Sequence, residues 1–159
     1  NGQKGDNSDV VIWDYNAKKA IYRLCEHDYA VENLAFSHDD KLLISTGNQL
    51  DGKLFIWNTA NGQIVSSLKL PLDLPGWNNF ALLGWLRQRY QVVKYTSYQF
   101  AIAGSKKLTL WSLDPNQGAC KNELLPTGAM VRDYTFLAFS KPNEEFLFAG
   151  TKSGDFCSF

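Results

Sequence analysis

Histidine, cysteine and paired carboxylates carry much of protein chemistry, and this sequence spreads them thinly. Its two histidines are His27 and His38, and its three cysteines are Cys25, Cys120 and Cys157. A metal centre needs several such ligands converging on one point, and no CxxC or comparable spacing gathers them, so no metal is expected. His27 reads as a structural, hydrogen-bonded histidine and His38 as a turn residue. An odd, scattered set of cysteines is not a disulfide framework and suits a reducing compartment. Asp39-Asp40 and Glu144-Glu145 are acidic pairs in predicted turns, whereas carboxylates that do acid–base work face each other across a pocket. Gly150-Thr151-Lys152-Ser153-Gly154 has the letters of a phosphate loop without its spacing or its following helix. No GxSxG elbow occurs. Lys18-Lys19 and Lys106-Lys107 are isolated pairs, a weak footprint for nucleic acid. The residues therefore predict no enzyme, no catalytic residue and no cofactor.

The elements that hold these residues are strands. Composition is ordinary for a globular domain, with 45% hydrophobic and 20% charged residues, and the aromatic share of 14% suits β-structure. Sixteen basic residues balance sixteen acidic ones, so no long-range field gathers nucleic acid or an anionic membrane. No apolar run approaches the roughly 20 residues of a membrane helix. The clearest unit is 41–58. Leu42 to Thr46 is an apolar strand ending at Gly47. Asp51-Gly52 is a strong turn signal, because glycine accepts a positive φ without steric cost. Lys53 to Trp57 then alternates, with Leu54 and Ile56 on one side and Lys53, Phe55 and Trp57 on the other. Further strands are expected at 9–15, 20–24, 31–36, 63–70, 98–104, 107–111, 132–140, 145–150 and 154–159.

The hairpin recurs. Trp13, Trp57 and Trp111 mark equivalent strands, with Cys157 in the fourth slot, at spacings of about 44, 54 and 46 residues. Val31 to Ser37 and Arg132 to Ser140 both end in Ala-Phe-Ser. Short strands with no long helical period, at that repeat length, predict an all-β fold: a β-propeller fragment of about three blades of four-stranded antiparallel sheet, with roughly 13 strands.

These residues resemble the WD40 family. Trp13-Asp14 is the name-giving dipeptide, Trp57-Asn58 and Trp111-Ser112 are degenerate versions, and Glu26-His27 is similar to the Gly-His that opens a repeat. The resemblance implies a hydrogen-bonded structural tetrad within one blade: His27, Ser45, Asp51 and Trp57. A buried indole and imidazole need partners, and such a chain supplies them. The unit around Trp111 lacks the His and Asp, and the last unit lacks the Trp. More narrowly, 8–15, 31–58 and 146–155 resemble the ciliary WD-repeat proteins, and Gly2-Gln3 is similar to a loop of the echinoderm microtubule-associated family. That resemblance implies a tandem-propeller scaffold inside the doublet microtubule of the cilium or flagellum, in the cytoplasmic axoneme. Protein partners, tubulin and other axonemal proteins among them, would follow, with no nucleic acid and no membrane.

Counting strands sets expected boundaries. Residues 1–27 supply the last two strands of a preceding blade, 28–70 a complete blade, 71–127 a blade with a long insertion at 71–91, and 128–159 the first three strands of a further blade, all part of one longer propeller. The insertion departs from the repeat. It carries Trp77, Trp85, Arg87 and Arg89, residue types enriched at interaction hot spots, and these four are the candidate partner-binding residues. Against that stands a plainer reading, in which Phe80 to Trp85 forms a blade strand and its aromatics are core. For the whole chain, the expected function is a non-catalytic interaction scaffold. The alternatives are a generic WD40 adaptor of another intracellular complex and a propeller enzyme acting at its central channel.

Overall fold

The computed structural model describes residues 7–70, 98–104, 106–128, 132–140 and 146–159 in full, and residues 81–86 by backbone alone. The described residues form thirteen strands and no helix. The chain divides into two compact units, Asn1–Leu72 and Asp73–Phe159.

In the first unit, β1 (Val10–Asp14) and β2 (Lys19–Leu24) form a hairpin. Strands β3 (Val31–Phe36), β4 (Leu42–Gly47), β5 (Lys53–Asn58) and β6 (Ile64–Lys69) form a four-stranded antiparallel sheet in sequential order. The apolar run that suggested β4 is buried at all six positions, as a central strand must be. Register pairs Leu43 with Trp57 and Ser45 with Phe55, so these four share one face. On that face Leu43, Phe55 and Trp57 pack with Val10, Leu24 and Val31 into one apolar cluster between the two sheets.

In the second unit, β7 (Ala81–Leu86), β8 (Tyr98–Gly104), β9 (Lys107–Asp114) and β10 (Ala119–Leu124) form another four-stranded antiparallel sheet. Strands β11 (Tyr134–Phe139), β12 (Leu147–Thr151) and β13 (Phe156–Ser158) form a three-stranded one. Ala101, Ala103, Leu108, Tyr134, Leu137, Leu147 and Ala149 make the core of this unit. Strand β7 answers the question posed by the insertion in part: 81–86 pairs antiparallel with β8, Trp85 opposite Phe100. The extra length falls on both sides of it, since β6 ends at Lys69 and β8 begins at Tyr98.

The turn after each Trp-bearing strand shows what the dipeptide's second residue does. Asp14 Oδ1 accepts the amides of Asn16 and Ala17, both at 2.9 Å. Asn58 Oδ1 accepts from Ala60 at 2.8 Å. In the third case the role moves from Ser112 to Asp114, whose Oδ1 accepts from Asn116 at 2.9 Å, because β9 runs on to Asp114. Each is an Asx turn that satisfies backbone donors as the chain reverses. The turns close on residues at positive φ: Lys18 (53°), Gly62 (70°) and Gly118 (65°).

Register corrects one sequence assignment. Leu43 of β4 pairs with Trp57. Its counterpart Leu147, likewise opposite the last residue of the preceding strand, exchanges backbone hydrogen bonds with Phe159. Phe159, not Cys157, therefore occupies the tryptophan position; Cys157 pairs with Ala149 as Phe55 does with Ser45. The offset arises because Trp111 stands two residues before the position of Trp57, which Leu113 holds ahead of its own turn residue Asp114.

Candidate functional site

The segment before β3, strands β4 and β5, and the turn between them bring His27, Ser45, Asp51 and Trp57 together. Trp57 Nε1 donates to Ser45 Oγ at 2.9 Å. Ser45 Oγ lies 2.8 Å from His27 Nε2, and His27 Nδ1 lies 2.7 Å from Asp51 Oδ2. A proton on Nδ1 satisfies every donor: the indole gives to the serine, the serine to the imidazole, the imidazole to the carboxylate. The other carboxylate oxygen accepts the backbone amides of Asp28 at 2.7 Å and Tyr29 at 3.1 Å. Asp51 is itself fixed by its amide, which donates to Asn48 Oδ1 at 2.9 Å. The edge of the His27 ring meets Phe55, centroids 4.9 Å apart. All four residues are buried, Ser45 fully.

Local sequence explains the geometry. Ser45 and Trp57 are diagonal neighbours across β4 and β5, within reach of a large side chain. Gly47 leaves room for the carboxylate, because a Cβ there would overlap Asp51. Gly52, at a φ of 58°, turns the chain back into β5. Outside the buried chain, Lys53 Nζ pairs with Asp28 Oδ2 at 2.6 Å, which raises the Lys53 pKa.

A serine, a histidine and an aspartate in this order also describe a hydrolase triad. Here the serine oxygen is closed off from any substrate. It is buried, and the Trp57 N–H already occupies it. Among the described residues no cluster of three His, Cys, Asp or Glu is placed to hold a metal ion. Cys25 is exposed, yet the Asp9 carboxylate beside it pushes its thiol above the ordinary range, which disfavours the reactive thiolate.

The other units solve the same problem with different atoms, and these the sequence reading missed. Trp111 Nε1 donates to Thr109 Oγ1 at 2.9 Å, and Thr109 donates to the Ile102 carbonyl at 3.1 Å. The signal was a hydroxyl two residues before the tryptophan. In the three-stranded sheet, Asp155 accepts from Thr151 Oγ1, from Ser153 Oγ at 2.7 Å and from Arg132 Nε at 3.1 Å. The hydroxyls of Thr151 and Ser153, then the Arg132 guanidinium, hold the Asp155 carboxyl well below the usual carboxylate range. Asp155 directly precedes Phe156, the partner of Gly150; Lys53 directly precedes Leu54, the partner of Thr46. The pairs Arg132–Asp155 and Asp28–Lys53 thus clamp the same two segments of their sheets with opposite polarity.

Of the candidate partner-binding residues, Trp77, Arg87 and Arg89 lie outside the described residues. Trp85 is placed by its backbone in β7, and its side chain lies outside them.

Two four-stranded antiparallel sheets, with a two-stranded one before them in the chain and a three-stranded one after, make the fold that of a WD40 β-propeller. Solved structures agree on this point alone. The chain matches a chain of the crystal structure of the mitotic checkpoint complex with a TM-score of 0.69 and 18% identity, covering 99% of this chain and 44% of that one. It matches the Myceliophteria thermophila Cps50 (Swd1) β-propeller domain with a TM-score of 0.68 and 18% identity, covering 99% and 48%. No protein-family model matches the chain.

The curated relatives are more particular. The chain is similar to cilia- and flagella-associated protein 52 of Chlamydomonas reinhardtii, 28% identical over 158 residues that cover 95% of this chain and 22% of that protein. With the same protein of Bos taurus it is 30% identical over 154 residues, covering 95% and 23%. Human WD repeat-containing protein 90 is 28% identical over 153 residues, covering 93% and 8%. The chain spans about a quarter or less of the length of these relatives.

Proposed function

We propose that this chain is part of a non-catalytic scaffold of the cilium or flagellum, bound to the axonemal microtubule, with tubulin and other axonemal proteins as its partners. The observation that carries the reading is similarity to cilia- and flagella-associated protein 52 along 95% of the chain, in an alga and in a mammal alike. The site supports it: its nucleophile-like hydroxyl is committed to an internal hydrogen bond, and hydrogen bonds of this kind position strands. In this reading His27, Ser45, Asp51 and Trp57 act as a latch holding the entry to β3 against the β4–β5 turn.

The chain forms part of one longer propeller. Leu34 and Phe36 share the face of Leu43 and Trp57 by register, yet they stay exposed, as does Trp13 on β1. Further strands beside β1 would cover all three. Trp77, Arg87 and Arg89 from the lengthened connections on either side of β7, with Trp85 from β7 itself, supply a partner contact.

A second reading, an adaptor outside cilia, draws on WD repeat-containing protein 90 and on the checkpoint-complex neighbour. Fractionation separates the two. The tagged full-length protein should stay with salt-washed axonemes; release with the soluble cytoplasm would favour the adaptor.

A further inference from the structure

The outer edge of the second four-stranded sheet carries a feature that neither the fold nor the proposed scaffold role requires. Among the described residues, strand β10 (Ala119–Leu124) pairs with β9 alone. Its counterparts β2 and β6 meet a register shift at their tryptophan-bearing neighbours, whereas β10 stays in unbroken register over its whole length. Bulges, short strands and charges of one sign are the usual ways in which an edge is kept from pairing. This edge has no bulge, and its charges alternate in sign.

Hydrogen-bond parity fixes what the edge presents. The Leu125 amide donates to the Leu108 carbonyl, so by alternation the backbone groups of Lys121 and Glu123 point back to β9, and those of Asn122 and Leu124 point outward. Lys121, Asn122, Glu123 and Leu124 are all exposed. We propose that β10 pairs antiparallel with β10 of a second copy of this chain, about a two-fold axis at Asn122. That register makes the outward amides and carbonyls of Asn122 bond reciprocally. It also sets Lys121 of each copy opposite Glu123 of the other in the closely spaced, non-hydrogen-bonded position, giving two ion pairs. The strand is its own complement, which is what an isologous interface demands. A different partner strand would have no reason to match this order of charges.

The test is sedimentation of the full-length chain over a range of concentrations. The wild type should self-associate, and salt should weaken the association. Lys121→Glu and Glu123→Lys should each weaken it about tenfold or more, because each turns two attractions into two repulsions. Mixed in equal amounts, the two variants should associate with each other as the wild type does with itself, since the acidic strand of one then faces the basic strand of the other. Both positions are exposed, and circular dichroism should report unchanged folding. A wild type that stays monomeric, variants that self-associate as well as it does, or a mixture that does not recover would each overturn the proposal.

Discussion

Ser45 serves two partners through one oxygen, accepting from Trp57 and giving to His27. Replacing it with alanine leaves an indole N–H and an imidazole nitrogen buried without a partner, at a cost of about 1–3 kcal/mol for such a group. Chemical denaturation of Ser45→Ala should show a loss of at least that order, and an unchanged midpoint would remove the latch reading. Gly47 makes a companion case. Gly47→Ala overlaps the Asp51 carboxylate and should cost about 1–3 kcal/mol as overpacking. In an Asp51→Ala background most of that cost should disappear, and a double-mutant cycle with no coupling would refute the clash. Asp155 gives a pH dependence. Its carboxyl is held below the ordinary range in the folded chain by Thr151, Ser153 and Arg132. It therefore contributes stability that is complete at neutral pH and declines as pH falls below about 4, the carboxylate's unfolded range. The stability gap between the wild type and Asp155→Asn should narrow from pH 6 to pH 3; a constant gap would mean that the carboxylate charge is not involved.

At the scale of the elements, a buried indole on the third strand of a sheet needs an acceptor. The second unit's answer predicts that Thr109→Val, which keeps the shape but removes the acceptor of the Trp111 indole, destabilises by about 1–3 kcal/mol. Thr109→Ser should stay near the wild type; equal losses for the two would point to packing instead. The strands with apolar alternation were legible from sequence: β3, β4, β5, β8 and β12 lie within a residue or two of where their patterns put them. Strand β10 was not, because Cys120-Lys121-Asn122-Glu123 has no buried face to create a pattern. The four residues that meet in the first sheet could be named because the resemblance to the WD40 family implies them; spacing alone would not have joined them. Thr109 escaped notice because a threonine in a strand is ordinary. Phe159 is hidden from a count of tryptophans because Trp111 stands two residues short of the equivalent position, which Leu113 fills. The dipeptide pattern puts Ser112 in the aspartate's place, whereas the longer β9 carries that role to Asp114.

For the whole molecule, the proposed contact with an acidic microtubule surface places its test on Arg87 and Arg89. Replacing both with alanine in the full-length protein should weaken microtubule association more at low salt than at high salt, because exposed charges are screened. Association unchanged across salt would remove these arginines from the interface. A chain of near-repeats also faces a hazard that a unique sequence does not: while folding, a strand can join the wrong sheet, since the backbone pattern is the same in each. The two surface clamps bear on this. In the first unit the segment entering the sheet brings Asp28 to Lys53, and in the three-stranded sheet it brings Arg132 to Asp155. A third strand exchanged between the two would set acid against acid in one sheet and base against base in the other. The reversed polarity works as an address, giving each turn a charge that only its own neighbour accepts.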